Sequence, residues 1–163
     1  MTTTDLNGIV LQINQGNSYW VLGDLYTFKA IGEETSGQYA LLELVIQPQD
    51  GTPLHVHSHE AEAFYVQDGE IEFQLGDRTI IANAGTFLHS PPGQPHRFVN
   101  KGTTPAQMLC WATPAGVEKF FAAIGTKVND PTAPPPQVTS ADIEKVMAIA
   151  PQYGITILPE QVG

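Results

Sequence analysis

All five histidines of the chain lie between residues 51 and 100. They fall in two blocks, GTPLHVHSHEAEAFYVQDG (residues 51–69) and GTFLHSPPGQPHRFVN (residues 85–100). His55 and His57 are two residues apart, a spacing that puts both rings on one face of a β-strand and on nearly opposite sides of a helix. Pro53 and Val56 favour the strand. Two imidazoles on one strand face can bind one ion if neighbouring strands supply further ligands. Glu62 follows His57 at an odd separation, so a turn or bulge through Ser58–Ala61 must intervene. Glu62 then starts the next strand, in phase with Phe64 and Val66. His96 follows the corner SPPGQP and opens a strand in phase with Phe98 and Asn100. Three neutral imidazoles and one carboxylate suit a divalent first-row transition metal (Fe, Mn, Co, Ni, Cu or Zn). Without a cation, four such groups converging in an apolar interior would be costly. His59 is expected on the turn, and His89, before the Pro-rich corner, in a structural role. Phe64 and Phe98 share strand phase with ligands and are candidates to line a substrate pocket. Cys110, between Leu109 and Trp111, reads as a small core residue.

The elements that must position these groups are mostly strands. The chain has 163 residues, with 15 Gly and 13 Pro, enough for one core built of short strands and turns. Residues 1–17 read as a frayed start with an edge strand at Ile9–Ile13. Tyr19–Ala30 reads as one or two strands. Tyr39–Gln47 is nearly all apolar, which predicts burial on both faces with Glu43 as the exception. Residues 61–67 and 70–75 form a hairpin closed by Asp68-Gly69. The second of these alternates cleanly, with Ile71, Phe73 and Leu75 on one face. Residues 78–82, 86–90, 96–100 and 105–113 complete the series. This rhythm predicts an antiparallel sandwich or barrel. Thr113-Pro114 reads as the cap and first turn of a helix bearing Val117, Phe120, Phe121 and Ile124 on one face, with Gly125 ending it. Phe120 and Phe121 are its packing face, or a lid over the barrel mouth. Residues 129–137 form a stiff Pro-rich linker. Thr139 caps a second helix with Ile143, Val146, Met147 and Ala150 on one face, stopped by Pro151. The last ten residues add a strand or dock. The expected organisation is a β domain with its following helix over residues 1–128, and a linker and helical tail over residues 129–163.

Formal net charge is −10, from 7 basic and 17 acidic residues. That balance disfavours nucleic acid and anionic membrane surfaces as partners. No apolar run reaches membrane-spanning length. The start MTTTDLNGIV has neither the basic stretch nor the apolar core of a secretory signal. Cys110 is the only cysteine, so no intrachain disulfide forms, in keeping with a reducing, cytoplasmic setting.

The two histidine blocks resemble the paired motifs of the cupins, a family of small jelly-roll barrels. His55-x-His57, Glu62 and Gly69 fit the first motif, whose opening glycine is replaced by Gln49, with Gly51 two residues later. Gly85, Pro91, Gly93, His96 and Asn100 fit the second throughout. The resemblance implies an antiparallel jelly-roll β-barrel with C-terminal α-helices, all-β in class. It implies one divalent metal held by His55, His57, Glu62 and His96, and a homodimer. EAFYV and TPAGVEKFF further resemble the single-domain cupins grouped with quercetin 2,3-dioxygenases. That likeness implies a metal-dependent dioxygenase acting on a small enolic or aromatic molecule, with dioxygen as co-substrate. Glu62 would then both ligate and take the substrate's proton. The competing expectations are a non-catalytic small-molecule or metal-binding module and a metal-dependent isomerase.

Overall fold

The computed structural model describes residues 8–160. Among the described residues, twelve strands and two α-helices alternate with turns. The strands are β1 (Asn17–Val21), β2 (Asp24–Ala30), β3 (Ala40–Ile46), β4 (His55–His57), β5 (Ala61–Asp68) and β6 (Glu70–Leu75). They continue with β7 (Arg78–Asn83), β8 (Phe87–Ser90), β9 (His96–Val99), β10 (Ala106–Thr113), β11 (Thr126–Lys127) and β12 (Ile155–Ile157). Helix α1 spans Val117–Ile124 and α2 spans Ser140–Ile149. Among the described residues no helix is long and apolar enough to cross a membrane.

The strands form two antiparallel sheets. One has seven strands in the order β11-β1-β2-β3-β10-β5-β8, and the other has five in the order β12-β4-β9-β6-β7. The architecture is a two-sheet jelly roll; the hydrogen bonding does not run on into a closed barrel. The core lies between the sheets, where Leu42, Leu44, Ile46, Phe64, Ile71, Phe73, Phe98 and Met108 pack together. A second apolar cluster, containing Val117, Phe120, Val146, Ala150 and Ile155, joins both helices to β12.

Several expectations change in three dimensions. The frayed start over residues 1–7 lies outside the described residues. Ile9–Ile13 forms no strand and its side chains are exposed. β3 is not buried on both faces: its residues alternate between buried and half-buried, because its sheet covers the core on one side only. The first helix starts at Val117, capped by Gly116 rather than Thr113. Gly116 takes φ 144°, outside the helical region, and Thr113 is still in β10. The buried Glu118 carboxylate takes over the capping, accepting from the backbone N–H groups of Gly116 (2.7 Å) and Gly32 (2.9 Å). Thr139 does cap α2, through a reciprocal box with Asp142. Of its expected apolar face, Val146 and Ala150 are buried whereas Ile143 and Met147 are exposed. α2 ends at Ile149, ahead of Pro151 as expected, and the chain continues through a 3-10 turn over Ala150–Tyr153 into β12.

Candidate metal centre

β4 sits between β12 and β9, and His55 pairs directly across from His96. β5 belongs to the facing sheet, where Glu62 lies between Ala112 of β10 and Ser90 of β8. The bulge required between His57 and Glu62 is the crossover from one sheet to the other. His55, His57, Glu62 and His96 each offer one ligand atom, and these atoms all lie within 4.8 Å of one another. All four side chains are buried, none more than 8% exposed.

The surroundings orient each ring. His55 Nδ1 lies 2.8 Å from the Pro53 carbonyl. His96 Nδ1 lies 3.0 Å from the Gln94 carbonyl and 3.1 Å from Ser90 Oγ. A carbonyl can only accept, so both rings carry a proton on Nδ1 and turn Nε2 inward. His57 Nδ1 faces Glu60 Oε2 at 3.4 Å, an ionic contact outside hydrogen-bonding geometry. Glu62 Oε2 stands 2.8 Å from His96 Nε2 and 3.2 Å from His57 Nε2. Holding the outer nitrogen of each ring on a carbonyl or carboxylate is the arrangement that metal-ligating histidines use.

The charges agree. Burial pushes the His55 pKa down to about 3, assisted by repulsion from His96 and His57. Burial works against charge on His57 too, but Glu62 and Glu60 outweigh it and raise its pKa to about 10. Burial likewise opposes charge on Glu62, yet His57 and His96 hold its carboxyl well below the usual range. Among the described residues the buried His57 Nε2 has no hydrogen-bond partner. Three imidazole nitrogens and a carboxylate therefore surround a point that favours positive charge, and a divalent first-row metal fits that donor set.

Beside this group is a cavity whose wall includes His55, His57, Glu62, Phe64, Phe98 and Cys110. Phe64 and Phe98 are buried with ring centroids 6.0 Å apart. The cavity is also walled by Phe120, Phe121 and Ile124 of α1, Val146 of α2, and Ile155 and Ile157 of β12. The helix face bearing Phe120 and Phe121 thus covers the site as well as packing. His59 and His89 are exposed and take no part. Asn100, the last residue of the second histidine block, is structural: its Nδ2 donates to the Ile46 and Thr104 carbonyls and its Oδ1 accepts from Gly102.

Sequence reasoning missed Glu60, Ser90 and Tyr26. The first two are polar residues that end up buried beside ligand rings. Tyr26 lies on β2, remote in sequence from both histidine blocks, yet lines the cavity. Inward strand phase was the available signal for it.

A two-sheet jelly roll with three histidines and a glutamate converging inside has relatives among known proteins. The family model described as "Cupin domain" matches residues 42–112, which contain both histidine blocks. Residues 42–112 are thus similar to a cupin domain. A quercetin 2,3-dioxygenase of Bacillus subtilis is 23% identical over 151 residues, covering 93% of this chain and 44% of that protein. The chain thus spans less than half the length of that relative. Among solved structures, an RmlC-like cupin from Shewanella frigidimarina superposes with a TM-score of 0.60 at 14% identity, covering 69% of this chain and 96% of that one. A predicted oxalate decarboxylase from Thermotoga maritima gives 0.60 at 18% identity, covering 65% and 98%. At these identities the structures speak for the fold alone.

Proposed function

We propose that His55, His57, Glu62 and His96 hold one divalent first-row metal and that the protein is a metal-dependent dioxygenase acting on a small enolic or aromatic molecule. The observation that carries this reading is the inward convergence of the ligand atoms onto one buried point beside an apolar cavity. Likeness to a quercetin 2,3-dioxygenase over most of the chain supports the reaction class. A bound ion of this kind would supply Lewis acidity and a redox-active centre.

The chain's own residues supply the rest. With the ion bound in place of the proton on His57, the rings of His55, His57 and His96 would act as fixed neutral donors. Glu62 has a second role, since its Oε1 faces away from the histidines toward Cys110 Sγ at 3.9 Å. That oxygen is available to take the proton of an enol entering the cavity. A carboxylate paired with a cation is a weak base, so its basicity depends on loosening from that partner. Phe64 and Phe98 exclude water and offer flat apolar faces to the substrate.

The test is metal analysis of the purified protein followed by oxygen uptake with flavonols and 1,3-diketones. Wild type should retain about one metal per chain and consume oxygen. His96→Ala should lose both the metal and the uptake. A wild-type protein that binds no divalent metal at any concentration would refute the reading.

A further inference from the structure

Of the three candidate ligand rings, His57 alone has a carboxylate behind it. His55 and His96 set Nδ1 against the backbone carbonyls of Pro53 and Gln94. A carbonyl is a neutral acceptor that any residue can supply. His57 Nδ1 instead faces Glu60 Oε2 at 3.4 Å. Glu60 is 7% exposed and His57 3%. Among the described residues neither atom has a hydrogen-bond partner, so two orphan polar atoms lie buried against each other. A carboxylate is almost never buried to this degree unless it is paired.

The local chain explains how Glu60 comes to be there. Residues 58–60 form the crossover from β4 to β5. Its start is tied on two sides: the Ser58 N–H donates to the Gly154 carbonyl at 2.9 Å, and the Gly93 N–H donates to the His57 carbonyl at 2.8 Å. The turn folds the Glu60 side chain back behind the His57 ring, while Glu62, two residues on, reaches the ring's other nitrogen at 3.2 Å. One imidazole thus has a carboxylate at each nitrogen. A divalent ion carries twice the charge of a proton, so the carboxylate at Nδ1 favours the ion over a proton at Nε2. It also strengthens the ring as a donor, as the outer partners of ligating histidines do.

We propose that Glu60 is a positioning residue of the metal centre, which holds the His57 ring by Nδ1 and makes His57 the strongest of the three imidazole donors. This role rests on the metal site proposed above and is independent of the reaction.

The test titrates metal-free protein with cobalt(II), reading the Kd by calorimetry and the ligand-field bands by visible absorption. Glu60→Gln keeps the size and an acceptor oxygen but not the charge. It should bind cobalt(II) at least about tenfold more weakly than wild type, with its bands shifted to longer wavelength. Glu60→Asp keeps the charge but draws it back by one methylene, and should fall between the two. Ser90→Ala removes a hydroxyl from His96 Nδ1 and leaves the Gln94 carbonyl in place. It should change the Kd less than Glu60→Gln does. A purely structural role for Glu60 would lower the melting temperature in chelator and leave the Kd and the bands where they are. If Glu60→Gln does not fold, Glu60→Asp against wild type decides the matter. With wild type binding cobalt(II), an unchanged Kd or unchanged bands in Glu60→Gln, or an equal loss of affinity in Ser90→Ala, would overturn the role of Glu60 and leave the metal site standing. Wild type that binds no cobalt(II) would refute the site itself, and this role with it.

Discussion

At the scale of single residues, the histidines and Glu62 were legible because strand geometry is periodic. A two-residue spacing fixes a common face whatever the rest of the fold does. The groups that orient them were not legible. Pro53 and Gln94 act through backbone carbonyls, which carry no sequence signature. Asp24 was equally hidden. It opens β2, is 1% exposed, and accepts a hydrogen bond from the Gln47 N–H at 2.9 Å. Burial pushes its carboxyl pKa up to about 8; Gln47 opposes the shift and Asp50 adds to it. The unfolded chain has the ordinary value of 3.8. The folded state therefore holds a proton that the unfolded state has lost between about pH 4 and about pH 8, and this contribution to stability falls as pH rises through that window. Asp24→Asn keeps an oxygen for Gln47 and removes the charge. Its urea midpoint should exceed that of wild type at pH 9, and the advantage should vanish by pH 4, both measured in chelator. A difference independent of pH would show that the charge on Asp24 is not what matters. Gln49 stands where the cupin motif has glycine. It takes φ 69°, a left-handed conformation that glycine adopts freely. Its Nε2 donates to the Lys101 and Gly102 carbonyls, contacts that glycine would lack.

At the scale of elements, nearly every strand was legible from alternation and turn residues, but the sheet partners were not. Pairing depends on long-range closure, which local pattern does not encode. The consequential case is β12. Sequence left it as a strand or a docked tail. It pairs with β4, setting Ile155 opposite His57 and Ile157 opposite His55. The last strand thus braces the strand that carries two of the candidate ligands. The bend that delivers it turns on Gly154, which takes φ 69°. A Cβ there would collide with Ser58 Oγ and come within 2.8 Å of the His59 ring. Gly154→Ala should cost at least about 1–2 kcal/mol, from the left-handed backbone alone. At about 2–4 °C per kcal/mol for a chain of this size, the melting temperature should fall by roughly 2–8 °C. Because β4 loses its brace, metal affinity should fall as well. Thr139→Ala removes the α2 capping box at a similar cost of about 1 kcal/mol, but leaves the pairing of β12 with β4 in place. It should lower the melting temperature and spare metal affinity. Equal effects of the two variants on metal affinity would show that β12 does not brace the site.

At the scale of the whole molecule, the four candidate ligands are divided unequally between the sheets. His55, His57 and His96 come from the five-stranded sheet, and Glu62 alone comes from the seven-stranded one. A shared ion would therefore bridge the two layers, with Glu62 as the only protein ligand from the second. Sequence alone could place the ligands on separate strands but not assign those strands to layers, because the crossover at residues 58–61 reads the same whether the chain stays in one sheet or changes sheet. The division makes a prediction that owes nothing to catalysis. An ion bound only by the folded state stabilises it by about 4 kcal/mol at a thousand times its Kd. For a chain of this size that is a rise of roughly 8–16 °C in melting temperature. Adding metal to chelator-treated wild type should produce such a rise, and renewed chelator should reverse it. Glu62→Gln retains the three histidines but replaces the inter-sheet carboxylate with a neutral amide. It should lower the metal-free stability, since it leaves His57 and His96 without their buried partner, and lose the greater part of the metal-induced rise. If Glu62→Gln gains as much from metal as wild type does, the ion is held by one sheet alone and the bridge between the layers does not exist.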